Sequence, residues 1–85
     1  MMNSDELRKA IKGYILSEFL PGEKPENVTD DLPLISSGVL DSIATLKLVL
    51  FLEEKCGIVL EAHEADKENM DTIDMMVATA QSKQK

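Results

Sequence analysis

The stretch Gly38-Val39-Leu40-Asp41-Ser42-Ile43-Ala44-Thr45-Leu46-Lys47-Leu48-Val49-Leu50-Phe51-Leu52-Glu53-Glu54-Lys55-Cys56-Gly57 sets the architecture. A glycine turn hands the chain to a helix that begins at Asp41 or Ser42 and runs to Cys56. Gly57 supplies its C-cap, and Lys55 sits in the last turn against the negative end of the dipole. At 3.6 residues per turn, Leu48, Val49, Leu52 and Cys56 share one face, the natural core stripe. Ile43, Leu46 and Leu50 form a second stripe beside it, and Phe51 lies on neither, nearer to Lys47, Glu54 and Lys55. Ser42 falls in the first turn. A hydroxyl there projects into solvent beside backbone N–H groups that have no intrahelical partner, a setting that favours a phosphate ester. Such a position suits modification better than catalysis.

The flanking segments read as further helices. Leu7, Ile11, Tyr14 and Ile15 recur at amphipathic spacing behind Asn3 or Ser4 as cap, and Pro21-Gly22 ends that helix. Residues 21–40 hold all three prolines with Asn27, Thr29, Asp30 and Asp31, which defeats both helix and strand. So long a loop in so short a chain is unusual; Val28, Leu32, Leu34 and Ile35 can hold it down by dipping into the core. Ile58, Val59 and Leu60 have no partner strand and read as a buried loop. A short helical turn is expected at 64–69. Asp71 or Thr72 then caps a last helix with Ile73, Met76, Val77 and Ala80 on one face. The predicted fold is all-α: a four-helix bundle of three longer helices and one short one with a long first loop, a single domain over 1–85 whose ends, 1–3 and 81–85, fray.

Composition narrows the function classes. Eighty-five residues leave no room for an enzyme cleft with lids. Sixteen acidic against nine basic residues give a net charge of −7, which repels nucleic acid and anionic membrane and attracts basic partner surfaces. No stretch approaches a membrane span, the N-terminus lacks the pattern of a signal peptide, and one cysteine excludes an internal disulfide. A cytoplasmic monomer is the expectation.

The motif Asp41-Ser42-Ile43 at the start of the second of four helices resembles that of the acyl carrier protein family. By that resemblance Ser42 carries a 4'-phosphopantetheine arm, delivered from coenzyme A by a phosphopantetheinyl transferase and ending in a thiol that holds acyl or aminoacyl cargo as a thioester. Asp41 and the positive end of the helix would organise the phosphate linkage and its Mg2+-dependent transfer. Ile43, Leu46 and Leu50 flank the arm and, with Lys47, Phe51, Glu53 and Glu54, form the expected partner-binding surface. The partners implied are the transferase, an acyl- or aminoacyl-activating ligase, and acyltransferases or synthases.

The family usually shows carboxylates at the positions of Ala44 and Lys47. Their absence points away from housekeeping fatty acid synthesis and toward a specialised pathway. The spacing from Cys56 to Met70, Leu40-Asp41-Ser42-Ile43, Thr45, the Leu48-Val49-Leu50 run, Gly57 and Asp66-Lys67 are similar to D-alanyl carrier proteins. The leading reading is a non-enzymatic acyl carrier. The alternatives are a D-alanyl or other aminoacyl carrier loaded by an adenylate-forming ligase, and an unmodified helical adaptor docking through Leu46, Leu50 and Phe51.

Two readings also stand for the second stripe. Partners meet it, or the 21–40 loop covers it; cover is favoured for Ile43 and exposure for Leu46 and Leu50. Cys56 reads as an inert packing residue whose small volume, at a usually aromatic position, leaves room for an acyl chain. His63 reads as a surface residue without metal-ligand neighbours, and Ser36 and Ser37 as turn formers. The carboxylates Asp30, Asp31, Glu61, Glu64, Asp66 and Glu68 lack the order of a calcium loop and read as a solvated face.

Overall fold

The computed structural model describes residues 2–84, and local chemistry accounts for where each helix starts. In α1 (Ser4–Phe19), the Asn3 side chain accepts the Glu6 N–H while the Glu6 carboxylate accepts the Asn3 N–H, a reciprocal capping box. In α2 (Ser42–Cys56), Asp41 is the N-cap and Gly57 the C-cap. Gly57 adopts a left-handed φ of +68°, which glycine reaches without the steric cost of a Cβ. A one-turn α3 (Lys67–Met70) begins where Asp66 accepts the N–H groups of Glu68 and Asn69, and α4 (Ile73–Lys83) begins where Thr72 accepts that of Met75.

The core forms where α1 packs against both α2 and α4. Leu7, Ile11 and Ile15 line the buried stripe of α1; Leu48 and Leu52 face them from α2; Ile73, Met76, Val77 and Ala80 come from α4. The long loop contributes Val28, Leu34 and Leu40, and the segment after α2 contributes Ile58 and Leu60, all fully or almost fully buried. Leu32 and Ile35 are half-buried against this cluster. The aromatic side chains gather on one side of the α1–α2 contact. Tyr14 stacks on Phe51 at 4.2 Å between ring centres and meets Phe19 edge-on at 5.6 Å.

Arg8 ties three elements together by pairing with Asp30 of the loop, at 3.1 Å, and with Asp74 of α4. Exposed pairs of this kind contribute little each, so the network adds more to register than to stability.

Several local expectations shift. The turn expected at 64–69 is two pieces, a 3-10 turn at Ala62–Glu64 and α3, because Asp66 breaks the run by capping α3. The loop contains a 3-10 turn of its own at Pro25–Asn27. The ends expected to fray are built in part: α4 continues through Lys83, and Met2 and Gln84 exchange hydrogen bonds of 2.9 and 2.8 Å. Residues 1 and 85 lie outside the described residues.

Gly13 sits in the middle of α1 with open space where a Cβ would point. Glycine in a helix interior loses more backbone entropy on folding than alanine does. Gly13→Ala is expected to stabilise the chain by about 0.5–1 kcal/mol, read as a higher urea midpoint at unchanged slope.

Candidate functional site

Ser42 is the first residue of α2 and is exposed. Gly38, at φ +87°, turns the chain just before it, and Leu40 plugs the core two residues ahead. Asp41 then closes the helix start. Its Oδ1 accepts the Ala44 N–H at 2.8 Å, and its carbonyl accepts both the N–H and the hydroxyl of Thr45, at 2.9 and 2.8 Å. An N-cap of this kind is worth about 1 kcal/mol to a helix. The N–H groups of Ser42 and Ile43 are left at the positive end of the dipole with no hydrogen-bond partner among the described residues.

Ser42 stands at the edge of an open groove of about 800 Å³. One wall is α2, through Thr45, Leu46 and Val49; the other is the segment from Leu60 to Lys67. Cys56 does not line it. Cys56 is half-buried against the core, and burial raises its thiol pKa above the ordinary value.

The outer face of α2 is apolar next to the serine. Ile43 is 68 % exposed, Leu46 59 % and Leu50 45 %. Exposure of Ile43 corrects the expectation that the loop covers it. The loop is held elsewhere, by long-range bonds: the Asp71 Oδ1 accepts the N–H groups of Ile35 and Ser36 at 2.8 Å each, the Asp71 carbonyl accepts the Leu34 N–H at 2.7 Å, and the Asp30 carbonyl accepts the Asp74 N–H at 3.0 Å. These bonds draw the loop toward the junction of α3 and α4 and away from Ile43. Lys47, Glu53 and Glu54 are exposed on α2. Phe51 is not: stacking on Tyr14 leaves it half-buried. Ala44 is buried, so this position looks into the protein rather than toward a partner.

Asp71 does more than its sequence position suggests, which is only that of a possible helix cap. The Ser36 hydroxyl and N–H donate to its carboxylate, with the Ile35 N–H and the Lys67 charge assisting, and hold its pKa below the ordinary value. A depressed carboxylate contributes stability that is fully present above the unfolded-state value, about 3.9, and is lost as pH falls through the folded one. Protection of the Ile35 and Ser36 amides, measured against the intrinsic exchange rate at each pH, is therefore expected to be high at neutral pH and to fall in acid. Asp71→Ala, which removes the acceptor, should show the low protection at every pH.

Among the described residues no helix is long and apolar enough to cross a membrane. No family model matches the chain. A probable acyl carrier protein, PigG, from a Serratia species is 31% identical over 75 residues, covering 88% of this chain and 85% of that protein. D-alanyl carrier proteins of Lacticaseibacillus casei and Lacticaseibacillus rhamnosus are each 31% identical over 78 residues, covering 89% of this chain and 96% of theirs. Identity sustained over almost the whole length, on an all-helical bundle that presents a serine at the start of α2, means that the chain belongs to the acyl carrier protein family.

Proposed function

We propose that the protein is a non-enzymatic acyl carrier whose 4'-phosphopantetheine arm is attached through a phosphodiester to Ser42. The observation that carries this reading is the exposed Ser42 hydroxyl at the first position of α2, beside free N–H groups and at the edge of the apolar groove. Those residues fit the group. The side chain is open to solvent, the N-terminal N–H groups favour the phosphate charge, and the Asp41 carboxylate is occupied in part by Ala44. When bound, the arm supplies a terminal thiol for thioester formation.

The chain's own work is to hold the attachment point rigid, through the Asp41 cap and the core beneath Leu48, and to offer the α2 face to enzymes. A specialised pathway is supported by Ala44 and Lys47 where carboxylates are usual. A second reading, an aminoacyl cargo loaded by an adenylate-forming ligase, is favoured by the two D-alanyl carrier relatives.

The test is intact-protein mass after incubation with coenzyme A, Mg2+ and a broad-specificity phosphopantetheinyl transferase. A gain of one phosphopantetheine is expected; none, with a transferase proven active on another carrier, overturns the reading. The mass of the protein isolated from its native cell then distinguishes acyl from aminoacyl cargo.

A further inference from the structure

Residues 34–40 lead into Asp41 and Ser42 and are held from both ends. Leu34 and Leu40 are buried, while Ser36, Ser37, Gly38 and Val39 between them are exposed. The segment closes on itself: the Leu34 carbonyl accepts the Leu40 N–H at 2.8 Å, and the Ile35 carbonyl accepts the Gly38 N–H at 3.0 Å. Among the described residues, Asp71 alone hydrogen-bonds to residues 34–40 from outside them. Its carbonyl accepts the Leu34 N–H, and its carboxylate accepts the Ile35 N–H, the Ser36 N–H and the Ser36 hydroxyl. Bonds to a charged acceptor are roughly twice as strong as neutral ones.

Asp71 is a fixed point. It joins α3 to α4, and Met70 before it and Ile73 after it are fully buried. At the other end of the segment, Leu40 directly precedes the Asp41 cap, so movement within the segment is passed to the helix start. Ile35, Gly38, Leu40 and Asp41 also line the groove at whose edge Ser42 stands. The bond from Leu34 to the Asp71 main chain survives a substitution there; those from Ile35 and Ser36 to its side chain do not. Without them the exposed residues 36–39 regain backbone freedom. A transferase that accepts one position of the Ser42 hydroxyl then meets it in only a fraction of the molecules, and its apparent affinity falls by that fraction.

We propose, resting on Ser42 as the attachment point, that Asp71 is a positioning residue for arm transfer. From the junction of α3 and α4 it fixes the segment that delivers the Ser42 hydroxyl, without bonding to that hydroxyl itself. In the transfer, the Ser42 oxygen bonds to the phosphorus that carries the pantetheine of coenzyme A. The pyrophosphate P–O bond breaks, the adenosine bisphosphate half leaves, and the hydroxyl gives up its proton. Such a displacement depends on where the attacking oxygen stands, which is what a tether on the preceding segment controls.

The experiment measures initial rates of arm transfer by intact mass against carrier concentration, with coenzyme A, Mg2+ and the broad-specificity transferase, beside amide exchange on the same unmodified proteins. Asp71→Ala is expected to raise the apparent KM about tenfold with kcat near the parent's. Asp71→Asn keeps a carbonyl oxygen for the two N–H groups and should stay within about threefold. In Asp71→Ala the amides of Leu40 and Ala44 should lose protection, while those of Ile11 and Ile15 in α1 keep it. Val77 is buried on α4, so Val77→Ala lowers stability through a core cavity and is expected to leave KM unchanged. Circular dichroism checks that each variant keeps its helices. If Asp71→Ala does not, Ser36→Gly decides: it removes the hydroxyl bond at an exposed position and should raise KM about threefold. A KM at the parent's value in the deciding variant overturns the proposal, as does unchanged protection of Leu40 and Ala44 or an equal rise in KM for Val77→Ala. Each of these leaves Ser42 as the attachment point intact. A parent that takes no arm from a proven transferase fails the attachment reading first, and the proposal with it.

Discussion

Ser42→Ala is expected to abolish uptake of phosphopantetheine completely while leaving the melting temperature of the protein almost unchanged. Both halves follow from the geometry. The Ser42 side chain is exposed and its hydroxyl has no hydrogen-bond partner among the described residues, so its removal uncovers no buried polar group. Alanine is the best helix former, and the Asp41 cap does not depend on residue 42. No neighbouring hydroxyl can take over. Ser36 donates to Asp71, Ser37 donates to the Leu34 carbonyl in a turn, and Thr45 is buried with its hydroxyl on the Asp41 carbonyl. Intact mass beside a thermal melt reads both outcomes. An arm found on the alanine variant would place the attachment on another residue.

Leu48→Ala is expected to have the opposite profile, a large loss of stability without any change to the serine. Leu48 is fully buried on the inner face of α2, away from the exposed Ile43, Leu46 and Leu50. Removing two methyl carbons and a methine from such a site costs about 2–5 kcal/mol, through lost burial and the cavity left behind. A small domain has about 5–15 kcal/mol in total and sits toward the low end of that range, so the substitution removes much of what is available. Chemical denaturation should show a markedly lower midpoint. The modification rate in native buffer should fall only with the folded fraction, and a rate that fell further would mean that the core also sets the position of the helix start.

The helices were legible because their signals are local. Asp41 and Gly57 announce the two ends of α2 within five residues of the backbone groups they satisfy, and Ile73, Met76, Val77 and Ala80 trace one face without reference to anything else. The serine was legible for the same reason, as one hydroxyl in one cap. The covering of α2 was not. Whether the loop lies over Ile43 depends on where Ile35 and Ser36 are tethered, and the tether is a carboxylate 35 and 36 positions further along the chain. Nothing in the pattern around Asp71 distinguishes a clasp from an ordinary cap. Phe51 is a similar case: its helical position points outward, but Tyr14 on another helix supplies a ring to stack against. Cys56 obeys the same logic, since the volume beside a small side chain depends on neighbours that only the fold brings together.

The stack of Tyr14 on Phe51 has an optical corollary. The chain has one tyrosine and no tryptophan, so its near-ultraviolet emission comes from a single ring. That ring stacks on Phe51 of α2, and its hydroxyl donates to the Lys47 carbonyl at 3.3 Å. Any enzyme that tilts α2 against α1 on landing alters the surroundings of that one fluorophore. Engagement at the serine's neighbourhood can thus be timed in a stopped-flow instrument without attaching a dye.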